Sequence, residues 1–294
     1  MKTILVPTDF SINAENALQY AVNIAKRTQA KIILLHTFHI EHNSAPLPVN
    51  MVEKQIEVTR QNSNAHLKAL CNKVSHNSKN LIDFISSHNF LIDEILTLSE
   101  ERNIDLIVMG TQGANGKLGR QIFGTNSSKV IEKAKCPVIT IPEGNSHFDI
   151  KTIVYATEYL DSDIACLQNI ADMAKLFEAK IQVIHISEFD DYDAKKVLEN
   201  FQSKVTESVG YKNISFKLLI SNDIEQKIEE YIEEEKGIDM LVMSAHDRSM
   251  MDKLFGKSIT KVMAFYLSIP LMVFHHKRTK YDDATDRRVA KLIL

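Results

Sequence analysis

The sequence predicts an α/β protein with two tandem, doubly wound, open parallel five-stranded sheets of the Rossmann-like kind, related by a pseudo-two-fold axis. One observation is that short, continuously apolar segments alternate with longer segments whose apolar residues recur at helical spacing, as in parallel sheets with helical crossovers. The other is that this pattern occurs twice in 294 residues, about twice the length of a common single domain.

The repeat keeps one constant offset over its first part. Residues 2–4 return as 151–153, residues 25–26 return as 174–175, and residues 30–36 return as 179–185, so that His36 is matched by His185. A period as long as a whole domain indicates a duplicated globular unit. We therefore expect domains over 1–145 and 150–278, followed by a C-terminal tail over 279–294.

Each element is predicted from its local pattern. Thr3 to Val6 is a short apolar run that ends at a turn, and the helical spacing that follows has Ser11 or Asn13 available as its N-cap. Further strands are expected at 30–35, 81–85, 105–109 and 137–141, with helices at 11–25, 51–74, 92–101 and 126–134.

The second half should follow the same order. Its strands are expected at 153–155, 181–184, 215–220, 240–243 and 271–274, with helices between them and one helix beginning at residue 256. The strands that close the two halves, 138–141 and 271–274, are expected to pair with each other in antiparallel fashion. The reason is that an unpaired apolar edge strand favours aggregation.

The composition is that of a globular protein, with 44% hydrophobic and 25% charged residues. A formal charge of −3 offers no basic surface for nucleic acid, and no apolar stretch reaches the roughly 20 residues that cross a membrane. The amino end begins with a core strand in place of a signal peptide, so a cytoplasmic location is expected. The three cysteines have no metal-ligand spacing and are interpreted as reduced, packed thiols.

Glycines concentrate after the fourth predicted strand. Five of the nine glycines lie between residues 110 and 124, namely Gly110, Gly113, Gly116, Gly119 and Gly124. Glycine allows main-chain N–H groups to converge on an anion at the start of a helix. The segment is therefore predicted to bind phosphate, with further donors from Thr125, Asn126 and Ser127. A flexible connecting loop is the alternative interpretation.

Three segments should meet at one edge of the first sheet. Asp9 follows strand one, Thr37 follows strand two and Gly110 follows strand four, and open α/β sheets bind ligands beyond the carboxyl ends of their strands. Asp9 is a candidate acceptor for ribose hydroxyls or a base amine, or a ligand for a phosphate-bound Mg²⁺ ion. A turn or cap carboxylate is an equally good interpretation of Asp9 considered alone.

These motifs resemble those of the universal stress protein family, and specifically its tandem two-domain members. The resemblance covers nearly the whole chain and is carried by residues 4–11, 35–36, 105–110 and 135–138. The nucleotide-binding members have a signature of Gly, two residues, Gly, nine residues and Gly-Ser/Thr. Here ten residues separate Gly113 from Gly124, and Gly116 and Gly119 give the segment freedom to absorb the extra one.

The resemblance implies an ATP site in the first half. By this resemblance, Pro7 and Asp9 flank the nucleoside, and Thr37 meets the adenine through its main chain. The ribose and phosphates are expected at Gly110, Gly113, Gly124 and Thr125. Gly116 and Asn126 complete the expected cofactor-binding set.

The second half departs from this pattern. Glu158, Ser244 and Asp247 stand where the first half has Asp9, Gly110 and Gly113, so ATP should be repelled there. We expect one adenine nucleotide per chain, with the second half as an intramolecular pseudo-dimer partner. A homodimer and an unidentified protein partner are further expectations.

The expected function is that of a stress-response regulatory protein that binds ATP, with Mg²⁺ as an accompanying ion. No catalytic residue and no metal-ligand set can be identified in the sequence, so any ATP hydrolysis should be slow. The alternative is a nucleotide-free interaction scaffold of the same fold, whose glycine-rich segment no longer binds a ligand.

Overall fold

Apolar strands form the centre of each half of the chain. The computed structural model describes residues 1–40, 48–74, 82–111, 125–145, 147–246 and 269–276. Contacts between residues divide the chain into two compact units, Met1–Phe148 and Asp149–Leu294. Both units alternate strands with helices, and the predicted α/β fold class is confirmed.

Unit 1 contains five described strands and four described helices. They are β1 (Thr3–Pro7), α1 (Ile12–Thr28), β2 (Lys31–Thr37), α2 (Val49–Val74), β3 (Ile82–Ser87), α3 (Leu91–Glu101), β4 (Leu106–Gly110), α4 (Thr125–Lys133) and β5 (Val138–Ile141). The strands are parallel and follow the order β3-β2-β1-β4-β5. The direction of this order reverses between β1 and β4. Their carboxyl ends are therefore the switch point, where doubly wound folds bind ligands.

Unit 2 repeats this arrangement. Its elements are β6 (Thr152–Ala156), α5 (Asp161–Phe177), β7 (Lys180–Ser187), α6 (Tyr192–Ser208), β8 (Ile214–Ile220), α7 (Ile224–Glu234), β9 (Met240–His246) and β10 (Leu271–His276). The order β10-β9-β6-β7-β8 is again parallel, and its switch point lies between β6 and β9. The helix expected from residue 256 and the tail over 279–294 lie outside the described residues. The antiparallel pairing of the closing strands stays a prediction.

The strands are buried on both faces. Ile4, Leu5 and Val6 are consecutive and fully buried, as a parallel strand requires when helices cover both sides of its sheet. This explains why the apolar runs are continuous instead of alternating. The observed bounds of the elements differ from the predicted ones by a few residues.

One aspartate in each unit fixes the start of the central strand. Asp105 accepts hydrogen bonds from the main-chain N–H groups of Lys2 and Thr3 at 2.6 and 2.9 Å. In unit 2, Asp239 accepts the equivalent bonds from Lys151 and Thr152 at 2.7 and 2.8 Å. These carboxylates connect the approach to β4 or β9 with the first residues of β1 or β6.

The cysteines are free thiols, as the sequence led us to expect. Burial raises the pKa of Cys71, and it raises that of Cys136 to about 11. The pKa of Cys166 also lies well above its usual value because the side chain is buried. All three are therefore protonated at neutral pH. Within the described part of the chain, no helix combines the length and apolar character that crossing a bilayer demands.

Candidate functional site

The turn after β1 leads into the switch point of unit 1, and its own side chains fix it. The Thr8 N–H donates to the Leu35 carbonyl of β2 at 2.8 Å, and the Thr8 hydroxyl accepts from the Phe10 N–H at 3.1 Å. The Asp9 carboxylate accepts from the Ser11 N–H at 3.1 Å. Ser11 caps α1 by accepting from the Ala14 N–H at 3.2 Å.

Phe10 has a backbone conformation that side-chain-bearing residues rarely adopt. Its φ of 63° lies in the left-handed region, where a bulky residue costs free energy unless its surroundings hold it. The ring packs against His36 with centroids 4.4 Å apart, and the His36 Nδ1 lies 2.8 Å from the Thr8 carbonyl oxygen. The conformation of the turn is thus fixed by packing and hydrogen bonds.

Unit 2 has the same turn. Tyr159 has a φ of 61° and stacks on His185 at 4.4 Å, while the His185 Nδ1 lies 2.8 Å from the Thr157 carbonyl oxygen. The matched histidines are therefore structural in both copies. Burial lowers the pKa of His185 below its usual value.

Gly110, at the end of β4, lies against a buried side chain of α1. A Cβ at this position would lie 2.8 Å from Nδ2 of Asn13 and 3.0 Å from its Cγ. A Cβ here would require the Asn13 side chain to shift and would also lie 3.2 Å from the Asn13 main-chain carbon, so Gly110 suits the close packing of α1 on β4. The glycine-rich pattern predicted that Gly110 allows close approach of a phosphate, and it did not indicate the contact with Asn13.

The residue after Gly110 links three elements. The Thr111 N–H donates to the Ile141 carbonyl of β5 at 3.0 Å, and the Thr111 carbonyl accepts from the Ser127 hydroxyl of α4 at 3.1 Å. The ends of the glycine-rich segment are therefore held together. The Ser127 hydroxyl, expected as a donor to phosphate, is already bonded to the protein.

Thr111 also carries a buried polar atom. Its side chain is 2% exposed, and within the described ranges its hydroxyl has no hydrogen-bond partner. Buried hydroxyls are rarely left in this state, because each loses its hydrogen bonds to water. No sequence pattern indicates this buried hydroxyl, since threonine is common after a strand.

The predicted site residues divide into those that the structure describes and those that it does not. Pro7 is buried at the end of β1, Asp9 is exposed in the turn, and Thr37 is half-buried at the end of β2. Thr125 begins α4, followed by the exposed Asn126. Because the strands are parallel, Pro7, Thr37 and Gly110 end at one edge of the sheet. Gly113, Gly116 and Gly124 lie outside the described residues.

A cleft of about 310 Å³ lies at a different place in unit 1, beyond the ends of β2 and β3. It is lined by His39, His88, Asn89, Phe90, Asp93, Glu94 and Thr97. Asp93 and Glu94 in the first turn of α3 make this cleft unfavourable for phosphate, since like charges repel. The switch point between β1 and β4 therefore remains the candidate site.

Known proteins similar to this chain include universal stress proteins that match one half of it or its whole length. The sequence model described as "Universal stress protein family" matches residues 1–142. The universal stress protein Slr1230 of a Synechocystis strain is 23% identical over 296 residues, covering 93% of this chain and all of its own. The universal stress protein MJ0577 of Methanocaldococcus jannaschii is 29% identical over 158 residues, covering 49% of this chain and 97% of its own.

The solved structures agree over both units. The crystal structure of a universal stress protein from Archaeoglobus fulgidus superposes with a TM-score of 0.65 at 16% identity, covering 93% of this chain and 98% of that chain. At that identity the likeness shows the fold. The sequence match shows that the first half of the chain belongs to the universal stress protein family, and the full-length match to Slr1230 together with the repeated fold fits a tandem two-domain member of that family.

Proposed function

We propose that this chain is a regulatory protein that binds one adenine nucleotide, ATP, at the switch point of unit 1. The nucleoside lies over the turn after β1, between Pro7 and Asp9, with the main chain of Thr37 next to the base. The phosphates lie along the glycine-rich segment that begins after Thr111, with Thr125 and Asn126 at the far end. Unit 2 completes the molecule without a nucleotide of its own.

The observation that carries the proposal is the Thr111 hydroxyl. It is buried at the first residue after β4, directly before the glycine-rich segment, and it has no hydrogen-bond partner among the described residues. A phosphate or ribose oxygen is a suitable partner for such a donor, because a hydrogen bond to a charged group offsets the lost hydration.

Asp9 is the second group that fits a nucleotide. One oxygen of its carboxylate holds the turn by accepting from the Ser11 N–H, and the side chain as a whole is exposed. An exposed carboxylate beside the nucleoside accepts ribose hydroxyls or a base amine. It also suits a Mg²⁺ ion bound to the phosphates, because Mg²⁺ prefers one or two carboxylates together with phosphate oxygens and water.

Two observations favour the nucleotide-free scaffold as a second candidate. Gly110 is required by its contact with Asn13, and Asp9 is used in the turn, so neither residue needs a ligand to explain it. A scaffold would keep both residues for folding alone. The two candidates therefore differ at Thr111 and in the glycine-rich segment.

Calorimetric titration of the full chain with ATP tests the proposal. We expect one ATP per chain and no heat of binding for Gly113→Asp, which places a carboxylate in the phosphate segment. The matched control is Asp247→Asn, at the equivalent position of unit 2, which should leave the affinity for ATP unchanged.

Thr111→Val separates the two candidates at a described residue. Loss of the hydroxyl should weaken ATP binding about three- to tenfold, the value of one ordinary hydrogen bond. Without ATP, the same variant should unfold at a higher temperature, because a buried hydroxyl without a partner is removed. The proposal would be contradicted by a wild-type chain that binds no ATP or binds two ATP molecules. It would also be contradicted by a Thr111→Val variant whose affinity for ATP is unchanged.

A further inference from the structure

A buried carboxylate lies at the centre of a hydrogen-bond network in unit 2. Asp163, in the first turn of α5, is 0% exposed. Its Oδ1 accepts from the hydroxyls of Tyr155 and Ser244, both at 2.8 Å. Its Oδ2 accepts from the Thr157 hydroxyl at 2.5 Å and from the Leu160 N–H at 3.0 Å.

These four donors come from the elements that form the switch point of unit 2. Tyr155 lies in β6, Thr157 directly follows it, Leu160 precedes α5, and Ser244 lies in β9. The order of strands reverses between β6 and β9, which is where an open α/β sheet binds its ligand. A buried carboxyl group of the protein itself therefore lies at the switch point of unit 2.

Among the described residues of unit 1, this network has no counterpart. The register of β1 with β4 and of β6 with β9 makes Gly110 equivalent to Ser244. By the constant offset of the repeat, Val6 stands for Tyr155 and Ala14 for Asp163. The carboxylate and two of its hydroxyl donors are therefore absent together from unit 1, although Thr8 keeps the place of Thr157.

The chemistry of the network fits an ionised carboxylate. All four contacts bring a donor to Asp163, and four donors are enough to replace the water that burial removes. Burial and the neighbouring Asp163 raise the pKa of Tyr155 well above its usual value, so this phenol keeps its proton and remains a donor.

We propose that Asp163 is an internal anion that closes the switch point of unit 2 and stabilises this copy of the fold without a ligand. It connects β6, β9 and α5 through its own hydrogen bonds. It also places a negative charge under the position where a phosphate-bearing ligand would enter. The contrast with a ligand-dependent unit 1 rests on the proposed function, whereas the stabilising role of Asp163 does not.

Hydrogen exchange of the full chain measures the stabilising role. In Asp163→Asn and Asp163→Ala, main-chain amides of β6 and β9 should exchange at least about tenfold faster, because the buried donors lose one acceptor oxygen in the first variant and both in the second. Amides of β1 and β4 serve as the internal reference and should keep their rates.

Asp161→Asn is the matched control. Asp161 lies in the same helical turn but is exposed, and it pairs with Lys204 at 2.6 Å. Exposed ion pairs contribute little, so this variant should change exchange in β6 and β9 by no more than about twofold. Equal effects of Asp161→Asn and Asp163→Asn would overturn the proposal, since they would assign the effect to charge at the helix start.

Two single-hydroxyl variants test the network if Asp163→Ala does not fold. Tyr155→Phe and Ser244→Ala each remove one donor, and each should raise exchange in β6 and β9 by less than Asp163→Asn does. Adding Tyr155→Phe to Asp163→Asn should cost less than Tyr155→Phe alone, because replacing the carboxylate by an amide has already weakened the hydrogen bond that Tyr155→Phe removes. Additive effects, or unchanged exchange in all of these variants, would contradict a coupled network.

A measurement of ATP binding tests whether Asp163 closes the switch point of unit 2 to nucleotides. In the Gly113→Asp background, with Asp163 intact, calorimetry should find no ATP bound to the chain. Binding of one ATP in that background would place a nucleotide in unit 2 and overturn closure. Absence of ATP binding in the wild-type chain would refute the proposed function alone and leave the exchange result to decide the role of Asp163.

Discussion

Asn13 lies against the end of β4, and this contact determines which residue can follow Met109. The equivalent pair in unit 2 is Ser162 and Ser244, so the unit that has a Cβ at the end of its strand has a shorter side chain in the helix. In each unit, the size of the helix residue is matched to the size of the residue at the end of the strand. This explains how one fold tolerates glycine in one unit and serine in the other.

Gly110→Ala should destabilise unit 1 by about 1–3 kcal/mol, the usual cost of forcing an extra methyl into a packed site. The reason is the 2.8 Å distance from the new Cβ to Asn13 Nδ2. Adding Asn13→Ser, which gives the pair a small helix residue as in unit 2, should recover most of that loss. Urea unfolding of the single and double variants measures both effects.

Gly210→Ala is the control for this experiment. A Cβ at Gly210 has nothing within 4 Å, and no positive φ opposes it. Alanine has fewer conformations than glycine in the unfolded chain, so this change should leave the free energy of unfolding unchanged or raise it by up to about 1 kcal/mol. If Gly110→Ala behaved like Gly210→Ala, the contact with Asn13 would not explain the glycine.

His185 should make the stability of the chain depend on pH. Burial lowers its pKa in the folded protein below the usual 6.5, although hydrogen bonding to Thr157 and the charge of Asp163 oppose this. As the pH falls through about 6.5, the unfolded chain therefore takes up a proton more readily than the folded chain, and the free energy of unfolding falls. Above that pH both states are neutral at this site and the penalty is absent.

The measurement is urea unfolding at pH 7.5 and pH 5.5 for the wild type and for His185→Gln. The wild type should lose more stability between the two pH values than the variant does, because glutamine does not titrate. Other histidines contribute equally to both proteins and cancel in the difference. Identical pH dependence would show that His185 titrates alike in the folded and unfolded states.

Among the secondary-structure elements, the clearest repeated feature is an aspartate that holds the first residues of the central strand in each unit. Asp105 and Asp239 each accept two main-chain N–H bonds at the start of a central strand. In the sequence, Ile104 and Asp105 before β4 recur as Ile238 and Asp239 before β9. The partners of the two aspartates are more than 80 residues away, so no local pattern could identify the contact.

Asp105→Asn should destabilise unit 1 by about 1 kcal/mol, because two hydrogen bonds to a charged acceptor become bonds to a neutral one and the site is exposed. Asp83→Asn provides the comparison, since Asp83 is an equally exposed carboxylate whose partner is the surface residue Lys31 at 3.1 Å. That variant should change stability by less than about 0.5 kcal/mol. Thermal unfolding of the two variants should therefore separate them.

At the scale of the whole molecule, ATP binding should stabilise the protein without efficient turnover. Fast phosphoryl transfer needs a positioned nucleophile and stabilised charge. Near the glycines the sequence offers only Lys117 and Arg120, which lie outside the described residues. ATP should therefore raise the melting temperature while hydrolysis stays far below about ten per second, the median for enzymes.

Phosphate release from purified protein measures that turnover, with the double variant Lys117→Ala and Arg120→Ala as the control. Wild type and variant should both release phosphate at the background rate. Rapid release that the double variant abolishes would make the protein an ATPase and contradict a purely regulatory use of ATP.

The sequence alone determined the duplication, the α/β class, the order of strands and helices, and the edge at which β1, β2 and β4 end. These follow from patterns that are local or periodic. Continuous apolar runs specify buried parallel strands, helical spacing specifies the helices, and the repeat sets the number of units. The same repeat matched His36 with His185 at equivalent strand ends.

Tertiary structure decided what these residues touch. Asn13 against Gly110 and the network around Asp163 each join segments that are distant in sequence, and burial of the Thr111 hydroxyl arises from the same packing of strands and helices. Their distances and burial arise only when the strands are brought into register. An aspartate at the start of a helix is ordinary in sequence, since that position favours acidic residues. Complete burial among four donors is what makes Asp163 unusual, and only the packing of β6 and β9 against α5 produces it.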